Sequence, residues 1–201
     1  GTVQTVTSTW PSCISAGDYR WLHFDLTDPK FTNWAEDRLP RVAAKALLQS
    51  ETRPRCEATD DGMILNLRGV NLNAGAEVED MISVRLWVTD GLIVSARRHR
   101  IYAIDAIRAD IDAGHPPKNI AAFLAALTFG LTKRIEKVSV GLEEDTDTLE
   151  DMSFDDKNPA LENLSDMRQT IIKIRRFVRP QAEALLVLGE GNVWPLEPLD
   201  A

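Results

Sequence analysis

Between Glu143 and Asp156 the sequence places eight carboxylates with no Lys or Arg among them: Glu143, Glu144, Asp145, Asp147, Glu150, Asp151, Asp155 and Asp156. The chemistry open to such a run is cation attraction, because anionic oxygens suit hard divalent ions and raise their local concentration. A solvated helix face or a connector would carry the same charge to no purpose beyond solubility. An EF-hand does not fit. Counted from Asp145, the loop would place Leu149 at its fifth position and Glu150 where the sharp turn needs glycine. Glu143, Glu144, Asp145, Asp147, Glu150 and Asp151 are therefore weak cation-attracting candidates, and the sequence defines no metal-ligand set.

Two basic strings stand against this acidity. Arg53-Pro54-Arg55 precedes Cys56, and Arg97-Arg98-His99-Arg100 follows the apolar run Leu92–Ala96. Four readings are open for them: plain surface charge at strand ends, salt bridges to the acidic segment, subunit contacts, or anion binding. The three histidines, His23, His99 and His115, share no HxxxH or CxxC spacing. His23 lies on one strand face with Trp21 and Asp25 and reads as structural. His99 sits among arginines that repel a metal, and His115 sits in a Gly-His-Pro-Pro turn. A metal site assembled across elements stays open. No glycine-rich phosphate loop, GxxxxGK[ST] or GxSxG string occurs, so no catalytic residue, covalent cofactor or enzymatic role is expected.

The chain has 201 residues, 44% of them hydrophobic, enough for one large domain with a proper core. It carries 23 Lys+Arg against 31 Asp+Glu, a net charge of −8. Outside the acidic run the two signs balance at 23 each. This excludes a nucleic-acid partner, which needs a basic footprint interleaved with stacking aromatics. Cys13 and Cys56 allow at most one disulfide and read as reduced thiols. The longest apolar stretch, Ile120 to Leu131, falls short of the roughly 18–20 residues a membrane helix needs. No signal peptide opens the chain, so a soluble, cytoplasmic protein is expected.

The elements that would position these groups read as α+β. Leu22, Phe24 and Leu26 alternate as on a half-buried strand. Residues 28–50 read as two helices split at Leu39-Pro40. Met63 to Ala96 reads as an antiparallel meander, with Asp90-Gly91 as a hairpin turn. Ile101, Ile104, Ile107 and Ile111 predict a helix ending at Gly114, and a long stripe from Ile120 to Leu142, starting at Pro117, predicts another. Asn158-Pro159 reads as the cap of a last helix. In that helix Leu164, Met167, Ile171, Ile174, Val178, Gln181, Leu185 and Leu188 alternate steps of three and four, a heptad seam for helix or subunit packing. Pro180 should kink it. The tail Val193–Pro198 reads as irregular, and the seam looks interrupted, so the natural protein is expected to continue past Ala201.

Several strings carry a family likeness. Glu51-Thr52-Arg53-Pro54-Arg55, then Met63 to Asn71, then Val84-Arg85-Leu86-Trp87 and Leu92 to Arg98, resemble the cytoplasmic domain of ZntB-type zinc transporters in the CorA metal ion transporter superfamily. Arg175-Arg176-Phe177-Val178-Arg179-Pro180-Gln181 looks like the start of that superfamily's stalk helix. The likeness spans roughly residues 17–195. It implies a mixed sheet flanked by helices, followed by long helices forming a hairpin and the start of a stalk. Residues 1–157 would be the funnel domain with the first long helix, and 158–201 a truncated stalk helix and tail of the same unit. It further implies a homopentamer at the cytoplasmic face of the bacterial inner membrane. Zn²⁺ or another divalent cation would be the transported or regulatory ion. The membrane would be reached only through C-terminal helices outside this sequence, and the superfamily's Gly-Met-Asn pore signature is absent from it. A soluble oligomerising or ligand-binding module without a pore is the alternative.

Overall fold

The computed structural model describes residues 19–153 and 160–190, with side chains described outside 149–163. The first strand, β1, is Arg20–Asp25. Asp28 then caps α1 (Pro29–Arg38): its carboxylate accepts from the Lys30 N–H at 2.9 Å, and proline fills the first turn, where no N–H is needed. Leu39 is held extended by Pro40, so α1 ends there and α2 (Arg41–Leu48) begins anew, as the sequence predicts.

Four strands follow: β2 (Arg55–Thr59), β3 (Gly62–Gly69), β4 (Ile82–Thr89) and β5 (Leu92–Arg97). The sheet order is β1-β5-β4-β3-β2. The expected meander is antiparallel throughout, with the β4–β5 turn at Asp90-Gly91. β1 joins β5 in parallel, Leu22 opposite Val94, which makes the sheet mixed.

Helices cover both faces, which is why β3 and β5 read as nearly unbroken apolar runs. On one face Met63, Leu65, Leu86 and Ile93 pack with Ile104 and Ile107 of α3 (Tyr102–Asp112). Phe123, Leu124, Leu127 and Leu131 of α4 (Ile120–Ser153) join them. On the other face Phe24, Ile64, Trp87 and Val94 pack with Phe31, Ala35, Ala43 and Leu47 of α1 and α2. Each fully buried large side chain is worth roughly 1.5–3 kcal/mol, so these two layers carry the fold.

The helix ends have local causes. α3 stops because Gly114 takes φ +84°, and the His115 and Gly114 N–H groups return to the Asp110 and Ile111 carbonyls at 2.8 and 3.0 Å. α4 starts at Ile120, later than the expected Pro117, because the Asn119 side chain accepts from the Ala122 N–H at 2.8 Å and sets the cap. The last helix, α5, is Ala160–Gly189 with Pro180 inside it. It runs back along α4: Ile135, Val138 and Leu142 meet Ile174, Phe177 and Val178, together with Val70 and Met81. The hairpin expectation holds. Its last turns lie on the body, where Leu185 and Leu188 join the main core. The proposed Asn158-Pro159 cap and the Val193–Pro198 tail lie outside the described residues.

Candidate functional site

The acidic run belongs to the far end of α4, which continues as helix to Ser153. Glu143, Glu144, Asp145 and Asp147 are exposed, while the side chains of Glu150 and Asp151 lie outside the described ones. None of the four described carboxylates takes part in any ion pair among the described residues. Helical spacing stacks Glu143 over Asp147, a repulsive like-charge pair, and the last turn holds no basic residue to meet the helix dipole. Nearby hydroxyls bond back to the helix itself: Thr146 donates to the Leu142 carbonyl at 2.7 Å and Thr148 to that of Glu144 at 2.9 Å. No group of three or more His, Cys, Asp or Glu among the described residues is arranged to hold a metal ion. The described part of the acidic end is thus a charged surface, and its described carboxylates converge on no ligand position.

The seam on α5 has two fates. Ile174 is 7% exposed and Gln181 3%, while Val178, Leu185 and Leu188 are half-buried against this chain. Toward the other end Leu164 is 39% exposed, Ile171 42%, and Met167 half-buried beside the Thr146 hydroxyl. The seam therefore leaves its first turns uncovered, next to the acidic end of α4. Gln181, the seam's polar position, accepts at 2.5 Å from the Arg68 N–H, beyond the last β2–β3 pair. β2 starts after Pro54, so at Arg68 β3 keeps β4 on one side and has no strand on the other, where Gln181 supplies the acceptor.

The histidines do not gather. His23 is enclosed on β1: its Nδ1 meets the Ser95 hydroxyl at 2.8 Å and its Nε2 accepts from the Arg97 Nε at 3.0 Å. Trp21 donates to the same hydroxyl at 2.7 Å. Burial, reinforced by the Arg97 and Arg108 charges, pushes the imidazole down to about 3, so it stays neutral. His99 and His115 sit on the surface. Cys56 touches the Met63 sulfur at 3.5 Å, and burial raises its thiol to about 11, which makes it unreactive.

The two basic strings converge, through residues the sequence reading passed over. Arg85 lies buried on β4 between them and donates to the Leu47 carbonyl at 2.6 Å and to the Gln49 carbonyl, at the C-terminal end of α2. Burial first, then Arg98 and Arg68, lower its guanidinium to about 10. Arg68 donates to the Thr52 carbonyl at 2.8 Å and to that of Met81, and lies 4.2 Å over the Phe177 ring of α5. The available signal was in the pattern: Asn66, Arg68 and Arg85 interrupt strands otherwise apolar on both faces.

Among the described residues no helix is long and apolar enough to cross a membrane. The architecture is a three-layer α/β/α body extended by an antiparallel pair of long helices. The chain belongs to the family of CorA-like Mg²⁺ transporter proteins, whose model matches residues 16–194. The zinc transport protein ZntB of Yersinia enterocolitica is 32% identical over 191 residues, covering 94% of this chain and 58% of that protein. The divalent cation transporter CmaX of Pseudomonas aeruginosa is 32% identical over 168 residues, 81% of this chain and 51% of that one. The crystal structure of the ZntB cytoplasmic domain from Vibrio parahaemolyticus superimposes with a TM-score of 0.76 at 31% identity, covering 89% of this chain and 73% of that one. The chain thus spans a little over half the length of the curated relatives it matches.

Proposed function

We propose that this chain is the cytoplasmic portion of a divalent-cation transporter, with zinc as the transported ion, at the cytoplasmic face of the bacterial inner membrane. The likeness to the Vibrio ZntB cytoplasmic domain over nine-tenths of the chain carries this reading. Residues 1–157 and 158–201 act as one unit in it, a reading supported by Leu185 and Leu188 packing against the main core. The domain contributes in two ways. The carboxylates from Glu143 to Asp151 draw cations toward the assembly, within the roughly 8 Å over which charge acts at physiological salt. The exposed seam residues Leu164 and Ile171, with the half-buried Met167 between them, contribute to subunit packing in a homopentamer, and shifts in that packing gate the pore.

The test uses the full-length protein to which this chain belongs, reconstituted in liposomes. Zinc flux that falls when Glu143, Glu144, Asp145 and Asp147 are replaced by their amides is the expected result. Absence of zinc flux overturns the transport reading. Flux indifferent to the amides overturns the role of the acidic end alone. A calorimetric titration with zinc giving no heat, with unchanged subunit arrangement, removes any role of zinc as a regulatory ion of this domain.

A further inference from the structure

The helix hairpin turns two faces outward, and they carry opposite charge. Val138 and Leu142 of α4 pack toward α5. The helical step of about 100° per residue puts Val140 on the far side, about 160° from both. There Phe129 is 68% exposed and Val140 47%, and the exposed Glu136, Glu143, Glu144 and Asp147 share that face. On α5, Ile174 and Val178 pack toward α4, and the opposite face holds Ile172, 57% exposed, and Leu186, 68% exposed. Exposed Arg168, Arg175 and Arg179 share it. Among the described residues Arg168, Arg175 and the four carboxylates make no ion pair, and Arg179 reaches Glu183 of its own helix at 3.8 Å.

The two faces also match in height. Thr146 of α4 lies against Met167 of α5, hydroxyl to sulfur 3.0 Å, which fixes the level of the antiparallel pair. From there Val140 is six residues back along α4 and Ile172 five residues on along α5, a mismatch of about 1.5 Å. Phe129 and Leu186 stand seventeen and nineteen residues from the same point, about 3 Å apart in height. By the same count Glu143 and Glu144 fall beside the level of Arg168, and Glu136 beside that of Arg175. Copies related by rotation about an axis along the hairpin stand at equal heights. Val140 then meets the next copy's Ile172, Phe129 its Leu186, and the carboxylates its arginines.

We propose that the outward α4 face of one copy docks on the outward α5 face of the next, a head-to-tail contact between identical chains. Two α4 faces would set carboxylates against carboxylates, and two α5 faces arginines against arginines, which leaves the mixed pairing. In it the helices run antiparallel. The next copy's Arg168 brings positive charge to the acidic end of α4, whose last turn has no basic residue of its own. Repeated with a closing rotation, the contact builds a ring. It deepens the assembly part of the function proposed above by naming the surfaces that meet; it rests on that assembly and not on the identity of the ion.

The test is cysteine cross-linking in the full-length protein to which this chain belongs, in liposomes, with its native cysteines replaced by alanine. Positions 140 and 172 lie on opposite sides of a helix pair whose axes are about 8–10 Å apart, beyond disulfide reach within one chain. Val140→Cys and Ile172→Cys together, under mild oxidation, should give a covalent ladder on a non-reducing gel, and either alone should give monomer. No ladder overturns the proposal. So does a dimer from one substitution alone, the mark of a two-fold contact. Arg168→Glu with Arg175→Glu should lower the ladder's yield at least about tenfold, because like charges then meet. Adding Glu143→Arg and Glu144→Arg should restore it, a rescue that a merely misfolded chain would not show. A yield unchanged by the first pair, or unrestored by the second, overturns the proposal. Zinc flux is read on the same vesicles before oxidation. A ladder without flux removes the transport reading alone, and flux without a ladder removes this contact alone.

Discussion

The side-chain oxygen of Gln181 accepts the backbone N–H of Arg68 at 2.5 Å, across 113 residues of sequence. Through this contact a helix completes a strand edge that has lost its β neighbour. Gln181→Leu keeps the volume but leaves the Arg68 N–H buried and unpaired. We expect a loss of about 1–3 kcal/mol in denaturant unfolding. Gln181→Glu keeps an acceptor and should cost less than the leucine variant. Equal losses in the two variants would show that the hydrogen bond is not what anchors α5.

His23 makes stability depend on pH. Its folded value, about 3, lies below the ordinary 6.5, so between these values the unfolded chain binds more protons. Stability from this group is therefore complete above about pH 6.5 and declines as pH falls toward 3, by up to about 1.4 kcal/mol per pH unit. Urea unfolding at pH 7.5, 6 and 5 should show the decline. His23→Gln, which still offers Arg97 an acceptor, should flatten it. A variant with the same slope would place the sensitivity in other groups.

Phe123 is completely buried where α4 meets the sheet, with ring centroids 4.8 Å from Trp21 and 6.4 Å from Tyr19. Phe123→Ala should cost about 3–5 kcal/mol, the range for large aromatic truncations that leave a cavity. Phe129, six residues along the same helix and exposed, should tolerate alanine with less than about 0.5 kcal/mol lost. Paired melting curves of the two variants check both figures.

The two ends of the α5 seam should respond differently to charge. Ile174→Glu places a carboxylate among Val70, Met81 and Ile135 and should unfold the hairpin. Ile171→Glu, three residues earlier on the seam and exposed, should leave the circular dichroism spectrum and melting temperature nearly unchanged. If the uncovered seam is a subunit surface, the same variant should lower the assembled mass in sedimentation. A lowered melting temperature with intact assembly would assign Ile171 to the chain's own packing.

Charge at the end of α4 should be relieved by salt. Replacing Asp147 by Asn removes the like-charge neighbour of Glu143 and should stabilise by about 0.2–0.5 kcal/mol at low ionic strength. The gain should vanish near 1 M salt, where the Debye length falls to about 3 Å. A gain that persists in high salt would point to helix propensity rather than repulsion.

Much of this was legible in the chain. The Leu39-Pro40 break, the Asp90-Gly91 hairpin and the long stripes of α4 and α5 are local, set by a few adjacent residues. Their agreement with the structure follows from proline geometry, turn chemistry and the 3.6-residue period. The acidic run was equally plain, but its helical state was not, since a row of carboxylates fits a connector as well as a helix end. Gln181 shows the limit of a local pattern: the seam marks it only as a polar position, and the loss of β2 pairing after Pro54 turns it into an acceptor for Arg68.

The sequence by itself determined the elements, the family likeness, the uneven charge and the absence of catalytic strings, because each is written in residues close together. Tertiary structure alone decided that β1 pairs in parallel with β5, since alternation tells which faces are buried and not which strand lies alongside. It also decided that Arg55, Asn66 and Arg85 share one row, and that Leu164 and Ile171 of the α5 seam stay exposed. Register between strands and the docking of one helix on another depend on packing among residues tens of positions apart, which no local pattern encodes.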